Sequence, residues 1–263
     1  MQDHFVATGH DETTPSATFT FIRRRGAVYA VTCRHVVDAL AHLPADRRPH
    51  FPTLAIQLGR SFLNLSGFGP QGFHHALRCP SADPDGADIA IAPLDNYWEL
   101  LASRKNKIAI DLDNWHEPDW SHVRYCAAAG YLNEHKRTFS TGDGDKIANQ
   151  LAVVVAEVSS AIGRSERRFT LSSQLSQPHG YYFSGLSGGP VYAIEGDQQR
   201  EVPDGELFPI GIIFEGFPAG QQPSKTEIDP LRSSSYLTGH DLFLRALTLA
   251  PEFFDEWLQH CGF

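Results

Sequence analysis

Short hydrophobic runs, the first partly alternating with polar positions, are separated along this chain by turns rich in glycine, proline and acidic residues. Residues 16–23 set Phe19, Phe21 and Ile22 among threonines, and residues 27–32 are dominated by β-branched and aromatic side chains. Successive side chains of an extended backbone point to opposite faces, so both runs predict strands, joined in a hairpin at Gly26. Residues 33–40 predict a short helical turn directly after the second strand. Residues 54–58 and 61–65 predict another hairpin across Gly59-Arg60, and 73–78 a further strand. A polar Pro/Gly turn then ends at Asp88, where an apolar strand begins.

The pattern returns after a break. Residues 96–120 are partly helical over 98–109 and then polar, and they read as a linker between two β-rich regions. In the second region 123–131, 151–158, 168–172, 191–194 and 207–214 predict strands, with a last short one at 236–238. Residues 135–150 read as a long polar loop, whose Asp143 and Asp145 lack the full ligand spacing of a helix–loop–helix calcium site. Apolar residues recur near helical spacing over 241–247 and 251–259, which predicts a helical C-terminal end. The fold class that follows is all-β: paired antiparallel β-barrels with a C-terminal α-helix, divided as residues 1–121 and 122–263.

Composition narrows the partners. At 263 residues the chain has material for one large domain or two compact halves, and 41% hydrophobic with 20% charged residues is ordinary for a soluble protein. The net charge of −9 argues against nucleic acid or an anionic membrane surface as a partner. Arg23-Arg24-Arg25, followed by Gly26, reads as a solvated hairpin turn. No apolar run approaches a membrane span, and Met1-Gln2-Asp3-His4-Phe5 lacks the basic-then-apolar pattern of a leader, so a cytoplasmic location is expected. Cys33, Cys79, Cys126 and Cys261 are scattered without a CxxC pair and read as buried reduced thiols. His74-His75 has no further ligands at metal spacing, and no metal site is expected.

One stretch stands apart, Phe183-Ser184-Gly185-Leu186-Ser187-Gly188-Gly189-Pro190-Val191. Its glycines permit a tight turn that pushes a serine hydroxyl outward and aims backbone N–H groups at one point, where they would stabilise an oxyanion. The same residues also fit a glycine-rich turn leading into a buried strand at Val191. His35 and Asp88 decide what the stretch is worth, because each sits at a junction between strand and turn. A serine hydroxyl is a poor nucleophile until an imidazole takes its proton, and a carboxylate must fix the tautomer of that imidazole.

On Thr32-Cys33-Arg34-His35-Val36-Val37, Asp88-Ile89-Ala90-Ile91 and Gly185-Leu186-Ser187-Gly188-Gly189-Pro190-Val191 the sequence resembles the trypsin/chymotrypsin-like serine peptidases, with the three residues in the chymotrypsin order. The resemblance implies two packed six-stranded barrels, the first carrying His35 and Asp88 and the second Ser187. It implies His35 as general base, Asp88 as its orienting partner, Ser187 as nucleophile and the N–H groups of Gly185 and Ser187 as oxyanion hole, with no cofactor. Tyr181 would floor the primary specificity pocket and Phe214-Glu215-Gly216 would form its wall. With no Asp at 181, a small or apolar residue before the scissile bond is expected; Glu215 either draws a basic side chain or faces solvent. Two departures matter. No cysteine follows His35, and Leu186 replaces the aspartate that pairs with a newly cut N-terminus in zymogen-activated members. The oxyanion turn must therefore be ordered in another way, and an intracellular, non-zymogen type is implied. The expected function is a serine endopeptidase working through an acyl-enzyme on a protein or peptide substrate. The alternatives are a latent or inactive protease-fold module that binds peptides or awaits a regulatory or activating protein, and an esterase or amidase of similar chemistry.

Overall fold

The β-branched and aromatic runs become strands where the alternation predicts them. In the computed structural model the described residues are 3–7, 16–41, 54–58, 61–64, 76–81, 86–105, 107–135, 137–141, 144–148, 151–157, 167–174, 183–195, 206–217 and 241–263. The first sheet holds β1 (Asp3–Ala7), β2 (Ser16–Arg24), β3 (Ala27–Thr32), β4 (Leu54–Leu58), β5 (Ser61–Asn64), β6 (Ala90–Pro93) and β7 (Ile110–Asp111). Its order is β5-β4-β1-β2-β3-β6, with β7 added parallel to β2. β2 is the hinge of this sheet: residues Ser16 to Phe19 pair with β1, and Thr20 to Arg24 pair with β3. Ala17 through Ile22 are all buried, so β2 is covered on both faces and its threonine hydroxyls must find partners inside the protein.

Helix α1 (Arg34–Ala41) follows β3 at once, and α2 (Asp95–Lys105) follows β6. Leu101 of α2 is fully buried, and Tyr97 and Trp98 pack with it on Phe21, Val28, Ala30 and Ala92. The segment expected as a linker is thus part of the first half. It seals one face of the sheet with α2 and adds β7 to its edge. Its apolar residues keep neither a helical nor a strand period throughout, which is why its pattern reads as indistinct.

The second sheet is built from β8 (Val123–Tyr131), β11 (Leu151–Glu157), β12 (Arg168–Gln174), β13 (Pro190–Glu195), β14 (Leu207–Phe217) and β15 (Asp241–Thr248). The ladder runs β11-β12-β15-β14-β13-β8 and returns on itself, because β8 pairs with both β13 and β11. The β11–β12 seam rests on one register pair, Glu157 with Ser172. The architecture is therefore mostly β in two sheets. The second curls round as a barrel does, whereas among the described residues the first is an open, curled sheet with one parallel pair rather than a six-stranded antiparallel barrel.

Two elements differ from expectation. Residues expected as helix form β15, which lies between β12 and β14. Leu242, Phe243, Leu244, Ala246 and Leu247 are all buried. A strand covered on both faces loses its alternation, and its continuous apolar run mimics a buried helix. Residues 135–150, expected as loop, give a 3₁₀ turn (Asn133–His135) and the hairpin β9 (Arg137–Thr141) with β10 (Gly144–Ala148). Of the strand expected over 73–78, residues 73–75 lie outside the described residues and 76–78 form no strand, only an isolated bridge between Arg78 and Ile91; the strand expected at 236–238 lies outside the described residues.

Helix α3 (Pro251–His260) closes the chain. Pro251 sits at its first turn, where no intrahelical donor is needed. Its buried face, Phe253, Phe254, Trp257 and Leu258, shares one core with Ile22, Val31, Ile89 and Ile91 from the first half and Ile212, Leu247 and Leu249 from the second. Arg24 grips Asp255 through two hydrogen bonds of 2.8 Å, and Arg167 reaches Glu256 from the second half. One helix thus plugs the seam between the sheets. Among the described residues no helix is long and apolar enough to cross a membrane. All four cysteines are free thiols, and burial pushes Cys126 and Cys261 up to about 12.

Candidate active site

β3 carries the chain into the core through Thr32 and Cys33, both fully buried, and then releases it into α1. His35 lies in the first turn of that helix with its ring half exposed. Asp88 stands between two buried anchors, Ala87 and Ile89, just ahead of β6. Because β6 pairs with β3, the two residues leave the sheet side by side. Oδ1 of Asp88 accepts the His35 backbone N–H at 2.9 Å, and Oδ2 lies 2.5 Å from His35 Nδ1. Burial pushes the Asp88 carboxyl up, but the hydrogen bonds from the His35 ring and backbone, the His35 charge and the Arg34 N–H outweigh it. The carboxyl is held below its ordinary value. An ionised carboxylate only accepts, so the neutral imidazole carries its proton on Nδ1 and presents Nε2 as an acceptor. Nε2 lies 3.1 Å from Oγ of Ser187, which comes from the other half of the chain.

The serine turn owes its shape to left-handed backbone. φ is +56° at Phe183, +94° at Gly185 and +87° at Gly188. A Cβ at Gly188 would lie 2.0 Å from the carbonyl oxygen of Thr18, and one at Gly185 2.4 Å from that of Tyr131. No other residue fits either place. Leu186, fully buried in the second core, anchors the middle of the turn. The N–H groups of Leu186, Gly188 and Gly189 donate to Phe183, Ile213 and Leu186 respectively. Among the described residues, those of Gly185 and Ser187 meet no protein acceptor.

Several side chains that the sequence reading passed over hold this turn. Thr18 of β2 donates its N–H to Ser187 O at 3.0 Å and its hydroxyl to Gly185 O at 2.9 Å. The same hydroxyl accepts the Tyr131 N–H at 3.1 Å. Thr20 donates to Gly188 O at 2.7 Å, and Thr32 donates to Thr18 O at 3.0 Å. Asn133 donates its N–H to Ser184 O and its side-chain amide to Ser184 Oγ, both at 2.7 Å. In the sequence these threonines are simply the polar positions of strands; only their burial marks them out.

Cys33 lies beneath the triad and donates its thiol to Ile213 O at 3.2 Å. Burial, reinforced by the Asp88 charge, pushes the thiol well up, so it stays protonated and does not compete with Ser187 as a nucleophile. Cys33, His35 and Asp88 each bring a potential ligand atom within 4.8 Å of the others. Those donors are committed to Ile213, Ser187 and the His35 ring, and the thiol is fully buried and protonated. The set does not fit a metal ion.

The residues expected to face substrate divide. Tyr181 lies outside the described residues. The register of β14 against β15 shifts across Phe214, and a bulge there turns its ring into the core between the sheets. Arg245 and Arg168 stack over that ring at 5.0 and 5.6 Å. Glu215 accepts from Arg245 at 2.7 Å. Gly216 is pressed on Phe183, whose Cβ would lie 2.5 Å from an added methyl. β13 pairs with β14 only as far as Ile212, so beyond Ile213 the described residues leave one edge of β14 open beside the serine turn.

No family model and no curated protein matches this chain. Solved structures do. Protease Anisep from Arthrobacter nicotinovorans is 10% identical over 100% of this chain and 95% of its own, with a TM-score of 0.42. A thermostable serine protease AL20 from an extremophilic microorganism is 11% identical over 99% and 96%, with a TM-score of 0.41. A glutamic-acid-specific serine protease that uses a histidine triad in substrate binding is 14% identical over 99% and 95%, with a TM-score of 0.33.

Proposed function

We propose that this chain is a chymotrypsin-like serine endopeptidase, with His35 and Asp88 supplied by residues 1–121 and Ser187 by residues 122–263. The observation that carries the reading is the unbroken run Asp88 Oδ2 to His35 Nδ1 at 2.5 Å and His35 Nε2 to Ser187 Oγ at 3.1 Å. It ends at the serine whose turn carries the Gly185 and Ser187 N–H groups, which meet no protein acceptor among the described residues. Ser187 Oγ attacks the scissile carbonyl as Nε2 takes its proton. Asp88 stabilises the resulting imidazolium, and the carbonyl oxygen, now negative, moves between the N–H groups of Gly185 and Ser187. Nε2 then gives its proton to the departing amine, leaving an acyl group on Ser187, and water repeats the sequence in reverse. Among the described residues the edge of β14 beyond Ile213 is open, which favours an extended peptide over a small ester, since a peptide can add there as a strand. Gly216 pressed on Phe183 favours a small or apolar side chain before the scissile bond.

Labelling with a fluorophosphonate probe, followed by intact mass, tests the reading. A single adduct on the wild type and none on Ser187→Ala is the expected result. A folded wild type that takes no adduct would instead favour a latent module awaiting a partner. An adduct that survives Ser187→Ala would show that the wrong nucleophile had been assigned.

A further inference from the structure

In this turn residue 186 is Leu186, buried among apolar side chains, so no charge at that position orders the oxyanion pocket. We propose that Thr18 and Asn133 act as positioning residues, forming a clasp that holds the Gly185 N–H towards the reacting carbonyl in the uncut chain. This deepens the endopeptidase reading and rests on it.

Two peptide planes meet at Gly185. The Ser184–Gly185 peptide carries the N–H in question, and its carbonyl accepts from Asn133 N–H at 2.7 Å. In a trans peptide C=O and N–H point opposite ways. A carbonyl held towards Asn133 therefore keeps the Gly185 N–H turned away from it. Flipping that peptide would break this bond and disturb a backbone already committed to φ +94°. The next peptide, Gly185–Leu186, is fixed through its carbonyl by the Thr18 hydroxyl at 2.9 Å. That hydroxyl cannot swing aside, because its lone pair holds the Tyr131 N–H at 3.1 Å. Thr18 is 0% exposed, so water is not at hand to replace either bond. The Thr18 N–H pins Ser187 O as well. One residue of the first sheet thus sets the backbone on both sides of Leu186 in the second half, with the 3₁₀ turn as its counterpart.

The test uses the full chain and the same fluorophosphonate probe. Ser187 Oγ forms a bond to phosphorus, the P–F bond breaks and fluoride leaves, and His35 Nε2 takes the hydroxyl proton; the phosphoryl oxygen occupies the oxyanion pocket. Thr18→Val keeps the β-branched shape and removes both hydroxyl bonds. The maximal labelling rate is expected to fall about 10- to 100-fold, below the loss for a whole oxyanion donor. The concentration of probe giving half that rate should change less than threefold, and Thr18→Ser should restore the rate. Asn133→Pro, which removes the backbone donor at the start of a short turn, should behave like Thr18→Val. Asn133→Pro decides the matter if Thr18→Val does not fold. A folded Thr18→Val or Asn133→Pro protein that labels at the wild-type rate overturns the clasp and leaves the endopeptidase reading intact. A wild type that takes no label overturns both.

Discussion

Asp88→Asn is the substitution whose consequence follows most directly from the geometry. Two backbone donors, the N–H groups of His35 and Arg34, address the carboxylate, and the first lies 2.9 Å from Oδ1. An asparagine must keep its single carbonyl oxygen on that side to satisfy them. Its NH₂ is then forced against His35 Nδ1, at the position now held by Oδ2. Two donors cannot share that contact, so Nδ1 must become the acceptor and the ring proton moves to Nε2. Nε2 then faces the Ser187 hydroxyl as a donor, and the proton of the attacking serine has nowhere to go. In the Ser-His-Asp template this tautomer change lowers kcat by about 10⁴, which corresponds to roughly 5.4 kcal/mol of transition-state stabilisation. The assay is the bimolecular labelling rate with the fluorophosphonate probe, with thermal unfolding as a check on the fold. The melting temperature should move little, since the variant keeps the acceptor for the backbone. A loss of less than about tenfold in a folded protein would refute the argument.

Two further substitutions probe the supports of the site. Gly188→Ala would drive a methyl to 2.0 Å from Thr18 O and 2.7 Å from Thr32 Oγ1. It should cost on the order of 3 kcal/mol or more in urea unfolding, whereas Gly26→Ala, with positive φ but open space around it, should cost about 1–2 kcal/mol; equal costs would mean that the turn is not packed on β2. Asp255 is held below the ordinary carboxylate range by its hydrogen bond to Arg24, with burial opposing and Arg25 adding to the effect. The folded chain therefore takes up this proton later than the unfolded chain does. Stability from this group is complete above the unfolded value of about 3.9 and is lost as pH falls through the lower folded one. Asp255→Asn should cost about 1–2 kcal/mol at neutral pH and should flatten the loss of stability in acid; an unchanged acid limb would rule out a part for this pair in docking α3.

What the sequence discloses depends on whether a feature is local. β2 is legible because it alternates Phe with Thr, and β3 because it is short and rich in β-branched and aromatic residues. The same holds for the junctions that carry His35, Asp88 and the glycine-rich turn. β15 is not legible, because burial on both faces removes the alternation. The β9–β10 hairpin hides for the opposite reason, having too few apolar positions to mark a strand. The support of the oxyanion turn is hidden more deeply. Leu186 shows that a charged latch is missing, which is a local fact. The replacement runs from Thr18 to Gly185, 167 residues apart, and no spacing rule connects them. The same contacts explain why Gly188 must be glycine: a side chain there would enter the space taken by the backbone of β2. The requirement is thus written in the serine turn, while the means of meeting it lie in the first sheet. If the clasp is real, stability of the junction between the halves and competence of the oxyanion pocket are one property, and substitutions along the buried threonines should move both together.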